Sequence, residues 1–213
     1  PLPRVPAHSP ASALPTTPGP CGPPRVPACG AAALVYDLRE CGTHNGERAA
    51  NKPTHEGARV WRMDHVKAYG LDAYRHAFTG SIPEANIVGI HWGRDRENWV
   101  VVGGHYDTMS DDCLFGGPCV LRSISQGAYD DGSGTIMTVA LAKAYANVIT
   151  NQTIAFIAFD GEELGLEGSA AFTQDYIYGK LPWHNLTITR MLDRDMFVLN
   201  WPAVNARFGC PHK

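Results

Sequence analysis

The run Thr153-Ile-Ala-Phe-Ile-Ala-Phe159, followed at once by Asp160-Gly-Glu162-Glu163, constrains this chain more than any other feature. A nearly continuous apolar run of that length fits a strand covered on both faces, the kind that helices bury in a parallel or mixed sheet. The acids at its end must then sit at the strand's C-terminal edge, where open α/β sheets carry their ligands. The same arrangement recurs. Asn98-Trp-Val-Val-Val-Gly103 leads into His105-Tyr-Asp107, and a last strand candidate over Met191 to Leu199 carries Asp193 and Asp195. Burying so many carboxylates in one crevice is repulsive unless a multivalent cation compensates them.

Helical segments separate these strands. Thr54 is placed to cap a helix through Val60, Trp61, Met63 and Val66 to Lys67, with Gly70 as its left-handed stop. Ile136, Val139, Ala140, Lys143 and Ala144 keep helical spacing after Gly132-Ser-Gly134, and Leu164 to Tyr178 forms a third helix closed by Gly179. Asn86 to Trp92 and Asn98 to Gly103, joined by a charged turn, read as a hairpin. Alternation of strands and helices predicts an α/β fold with a mixed, mainly parallel central sheet flanked by helices.

Outside this region the chain reads differently. Residues 1–29 hold ten of the 16 prolines and are expected to form a flexible tail, leaving 30–213 as one catalytic domain. The chain starts at Pro1 rather than Met, as a processed form or a fragment would. Eighteen Lys and Arg against 21 Asp and Glu, a net charge of -3, leave no basic footprint for nucleic acid. No apolar run approaches the roughly 18 residues that a membrane span needs. The expected partner is a small molecule or peptide. Six cysteines without a CxxC pair argue against a zinc ribbon. Cys113 and Cys119 bracket a turn-rich loop that a disulfide could close, and the sequons at Asn151 and Asn185 point, like it, to a secreted or extracellular setting.

Taken singly, each acidic motif is weak. A His-x-Asp pair is more often a surface turn, adjacent glutamates are usually a solvated helix start, and Asp130-Asp131 before Gly-Ser-Gly reads equally well as a turn and an N-cap. All three in order, each after a buried strand or opening a helix, make coincidence the costlier assumption. Imidazole and carboxylate ligands without thiolates suit catalytic zinc or a related divalent ion. A pair of ions needs a bridging carboxylate, and Asp130, between strand and helix, is placed for it.

Four blocks, Val101-Val-Gly-Gly-His-Tyr-Asp107, Gly127-Ala-Tyr-Asp-Asp-Gly-Ser-Gly134, Phe159-Asp-Gly-Glu-Glu-Leu-Gly-Leu-Glu-Gly-Ser169 and Arg194-Asp-Met196, resemble the two-zinc aminopeptidase family. That family also contains glutamate carboxypeptidases and glutaminyl cyclases. The resemblance, from about Thr54 to Asn200, implies a zinc exopeptidase-like three-layer sandwich and two Zn2+ ions. It implies that His105 and Asp195 bind one zinc, that Glu163 binds the other and that Asp130 bridges them. Asp107 would orient the His105 ring, and Glu162 would be the general base for attack of water on the first peptide bond. The peptide bond between Asp130 and Asp131 is expected to be cis. The family's sixth ligand, a histidine well downstream of the Asp-Met motif, has only His212 as a counterpart here, so the domain is expected to be incomplete at its C-terminal side. Asp193 is a competing ligand to Asp195, since strand alternation would put both on one face. The alternatives are a carboxypeptidase or dipeptidase of the same family, or an inactive scaffold.

Overall fold

The computed structural model describes residues 48–49, 53–81, 83–109, 127 and 129–196. The proline-rich segment, all six cysteines, the loop over 110–126 and His212 lie outside the described residues. The first helix, α1 (Pro53–Ala68), begins on proline, whose fixed φ and missing N–H suit a first helical position. It ends in a Schellman closure, with Gly70 at φ 76 donating to Lys67 and Leu71 donating to Val66. Its buried residues include Ala58, Trp61 and Val66, which join the core, and the polar His55, Arg59, Arg62 and His65.

Five strands follow, with two more helices between them: β1 (Asp72–Thr79), β2 (Pro83–His91), β3 (Asp95–His105), α2 (Gly132–Tyr145), β4 (Gln152–Phe159), α3 (Glu167–Ile177) and β5 (Thr187–Asp193). They form one mixed sheet in the order β1-β2-β4-β3-β5. β4 and β5 flank β3 and run parallel to it, while β2 is antiparallel to both β1 and β4. The chain therefore crosses from one side of β3 to the other after β4, and the C-terminal end of β3 becomes the sheet's switch point. Alternation along β4 splits the core. Phe156 and Ala158 join α1 and α2 on one face, and Ala155, Ile157 and Phe159 join Phe172 of α3 on the other. Helices thus cover both faces, giving three layers. Among the described residues no helix is long and apolar enough to cross a membrane.

Four sequence expectations are corrected. Thr54 does not cap α1, which already begins at Pro53, and its buried Oγ1 makes no hydrogen bond among the described residues. β2 and β3 are not a hairpin, because β4 inserts between them. The hairpin partner of β2 is β1, an edge strand whose mostly polar, half-exposed residues carry no apolar periodicity. Insertion of β4 lets Ile87, Val88 and Ile90 be covered from both faces, which an edge position would not. The helix expected from Leu164 starts only at Glu167, after a turn in which Leu166 adopts φ 63. The last strand ends at Asp193, earlier than expected, so strand alternation does not extend to Asp195.

Candidate metal centre

His105 closes β3, between β4 and β5, and its ring is buried. Its carbonyl accepts from Thr135 Oγ1 of α2 at 2.7 Å, which fixes the backbone. Its Nδ1 lies 3.2 Å from Asp107 Oδ1. Asp107 is fully buried and also accepts from the backbone N–H groups of Glu162 and Glu163, at 3.2 and 3.1 Å. One carboxylate therefore orients the imidazole and docks the acidic loop after β4 against it. The other ring nitrogen, Nε2, faces the remaining acids: Asp130 Oδ1 at 2.9 Å, Glu162 Oε2 at 3.8 Å and Asp195 Oδ1 at 3.9 Å.

Each of those acids is delivered by a distinct device. Glu162 and Glu163 follow Gly161, whose φ of 62 turns the chain after β4. Asp130 precedes α2 through a cis bond to Asp131, as the resemblance implied. Asp131 is buried and caps α2, accepting from Gly134 N at 2.8 Å and from Met196 N at 3.2 Å, so it ties the helix start to the turn that bears Asp195. Gly134 has no room for a side chain, since a Cβ there would collide with Arg194 O. Arg194 in turn donates its N–H to Gly103 at 2.8 Å. The chain has thus left β5 when Asp195 turns toward His105, and Asp193 accepts from the backbone of Arg194 instead.

Two sets of donors meet a metal's needs for proximity: His105 with Asp130 and Asp195, and His105 with Glu162 and Glu163, each with one ligand atom per residue within 4.8 Å. Asp193 belongs to neither. All six residues singled out from the sequence, His105, Asp107, Asp130, Glu162, Glu163 and Asp195, are brought together around one imidazole. Glu163 differs in detail, for its Oε1 accepts from Met109 N at 3.1 Å.

Electrostatics agree with a site short of positive charge. Burial alone would lower the His105 pKa, but the hydrogen bond to Asp107 and the charges of Asp107, Asp131 and Glu162 push it up to about 10. Burial, then the Asp130 charge, pushes Glu163 up to about 7. Burial also raises Glu162 and Asp195, offset in part by His105. The side chains of Glu162, Asp195 and Asp130 are 32, 42 and 49 % exposed, so the cluster opens to solvent. It faces a cleft of about 320 Å³ lined by His105, Phe159, Glu162, Leu166, Asp193 and Asp195, among others. Imidazole nitrogen and carboxylate oxygens without thiolate form a donor set suited to zinc or a similar divalent ion.

Sequence reasoning missed the residues behind the cluster. Arg48 is buried and donates from Nε to Tyr106 O at 2.7 Å and from Nη2 to Gly127 O at 2.8 Å, bracing the segments that carry His105 and Asp130. Asp160 was visible only as part of its motif, and its partners His55, Arg59 and Tyr106 carried no signal. Their spacing from one another in sequence offers no pattern to find.

Residues 86–209 match the family described as Peptidase family M28. A probable zinc metalloprotease from Pyrenophora tritici-repentis is 35% identical over 90 residues, 42% of this chain and 20% of that protein. The aminopeptidase YwaD of Bacillus subtilis is 35% identical over 98 residues, 45% of this chain and 18% of that protein. A probable glutamate carboxypeptidase from Arthroderma benhamiae is 30% identical over 121 residues, 54% of this chain and 14% of that protein. This chain thus spans a fifth or less of each of these relatives. Among solved structures, LapB from Legionella pneumophila superposes with a TM-score of 0.61 at 24% identity, over 78% of this chain and 43% of that one. A Zn-dependent exopeptidase from Parabacteroides distasonis gives 0.60 at 19%, over 80% and 63%. At those identities the likeness is one of fold.

Proposed function

The chain belongs to peptidase family M28, and from that premise we propose that it is a zinc exopeptidase that hydrolyses the peptide bond next to a free α-amine. The observation that carries this reading is the convergence of five carboxylates from three strand ends and a helix start on the single imidazole of His105. His105, Asp130 and Asp195 would hold one zinc ion, and Glu163 with Asp130 a second. Zinc at such a site supplies Lewis acidity, polarising a carbonyl oxygen and lowering the pKa of water.

The chain's own residues do the rest. Glu162, partly open to the cleft and with its pKa raised first by burial, is poised as general base: its carboxylate takes a proton from the attacking water and returns it to the leaving amine. Asp107 holds the tautomer of His105 through Nδ1 and keeps the Glu162 backbone in place. Asp193 and Asp195 put negative charge on the cleft, a setting for the substrate's α-ammonium. Purified protein is expected to cleave aminoacyl-anilides and to lose that activity with chelator. Chelator-insensitive cleavage would contradict the reading.

A second reading, a carboxypeptidase, is favoured by one observation, the relative named as a glutamate carboxypeptidase. N-acetylation of the substrate separates the two: it should abolish cleavage by an aminopeptidase and spare that by a carboxypeptidase. A scaffold without catalysis would bind no zinc.

A further inference from the structure

Asp160 is 0 % exposed, yet it is not one of the residues facing His105. Its carboxylate takes four hydrogen bonds, the one from Arg59 being also an ion pair, and makes a second ion pair with His55, and the partners come from separate parts of the chain. Oδ2 accepts from Arg59 Nη2 at 2.8 Å, from Tyr106 Oη at 2.5 Å and from Ala85 N at 3.0 Å. Oδ1 accepts from Gly161 N at 3.0 Å and lies 2.7 Å from His55 Nε2. The backbone of Asp160 is fastened as well: its N–H donates to Asn86 Oδ1 at 2.9 Å and its carbonyl accepts from Gly168 N at 2.9 Å.

Two of these partners adjoin the site. Tyr106 stands between His105 and Asp107, and Gly161 precedes Glu162. The phenol of Tyr106 is itself fixed, accepting from Arg59 Nε at 2.9 Å, and its N–H donates to Phe159 O at 2.9 Å. We infer that Asp160 is a positioning residue: its carboxylate holds the His105–Asp107 segment and the Glu162–Glu163 loop, more than fifty residues apart in sequence, at one fixed separation. The competing account is that Asp160 only neutralises the buried Arg59 and His55 and supports the core. That account needs no link to Tyr106 or Gly161, and it predicts a loss of stability with no change in the folded site.

The inference rests on the proposed metal centre for one of its readouts and is independent of it for the other. Amide hydrogen exchange on the metal-free protein reads the site's two segments directly. In Asp160→Asn, residues 105–109 and 161–168 are expected to lose protection together, by at least tenfold. Ile90→Ala is the control, a core change at the far end of β2, opposite Ala155, at a temperature where both variants are equally far below Tm. It should leave both segments protected. Zinc affinity, measured by competition with a chromophoric chelator, should fall about 10–100-fold in Asp160→Asn, the range for residues that orient metal ligands, and not in Ile90→Ala. Tyr106→Phe, which removes one donor and keeps the charge balance, replaces Asp160→Asn should that variant not fold, and is expected to show both effects in weaker form. Protection and affinity unchanged in the folded variant, or lost equally in Ile90→Ala, would overturn the inference. Coupled loss of protection in a chain whose wild type binds no zinc would uphold the positioning role and defeat the proposed function instead.

Discussion

Asp160 and Glu163 stand three residues apart on one loop and live in opposite environments. Burial pushes against ionisation of Asp160, but His55, Tyr106 and a backbone N–H overcome it and hold its carboxyl below the usual range. Glu163 is less enclosed but meets Asp130, Asp107 and Glu162, and its carboxyl is pushed up to about 7, first by burial and then by Asp130. The difference teaches how the chain divides labour among its acids. A carboxylate given enough donors becomes part of the scaffold, and carboxylates left short of donors around one imidazole become a place for a cation.

The sharpest way to break this comparison is to disturb one acid of each kind, Glu162 by replacing it and Asp160 by removing its partner Arg59. Glu162→Gln is expected to reduce hydrolysis of aminoacyl-anilides by about 10²–10⁴-fold, the usual contribution of a general base, while Tm stays level or rises. A variant that keeps near wild-type kcat would remove Glu162 from the mechanism. Arg59→Ala does the reverse. It strands the buried Asp160 charge, and chemical denaturation should record a loss of about 3–5 kcal/mol, the cost of removing one partner from a buried pair. A loss under about 1 kcal/mol, ordinary for a surface pair, would mean that the network holds little.

A finer contrast lies within the cluster. Asp195 faces His105 Nε2 at 3.9 Å, whereas Asp193 accepts from the backbone of Arg194. Asp195→Ala should weaken zinc binding about 10-fold or more, and Asp193→Ala by less than about 3-fold, when each is titrated against a competing chelator. Equal losses would return Asp193 to the ligand set.

The smallest effect is one of pH. Glu163, raised to about 7, binds its proton more tightly folded than unfolded, so its contribution to stability is full below about 4.5 and is lost as pH rises through 7. His105, raised to about 10, adds a loss between about 6.5 and 10. Asp160 has the opposite sign, its contribution being present above about 3.8 and lost as the solution turns more acid. The metal-free protein should therefore melt at falling temperatures from pH 5 to 9. With zinc the slope should flatten or reverse, since ligands must be deprotonated to bind. A metal-free melting temperature that rises over this range would contradict the assigned environments.

Much of this was legible in the chain itself, for a physical reason. β4 and the end of β3 are buried on both faces, so their apolar runs stand out together with His105, Asp107, Glu162 and Glu163 that follow them, whereas Asp130 was read from its place before a helix and Asp195 from the resemblance at the Asp-Met motif. β1 was missed because an edge strand need bury little, and the sequence Asp72-Ala-Tyr-Arg-His-Ala-Phe-Thr79 shows no regular apolar face. Asp193 and Asp195 could not be separated because the point where β5 ends depends on Arg194 reaching Gly103, a contact across the sheet. Arg59 and Asp160 lie 101 residues apart, and a buried pair at that range leaves no local pattern.

Whether the acids around His105 hold metal decides between an enzyme and a scaffold. The direct measurement is the zinc content of the folded wild-type chain beside that of His105→Ala, both after dialysis against metal-free buffer. At least one zinc per wild-type chain and none in the variant is the predicted result. A folded wild type without zinc, or a variant that keeps it, would contradict the account.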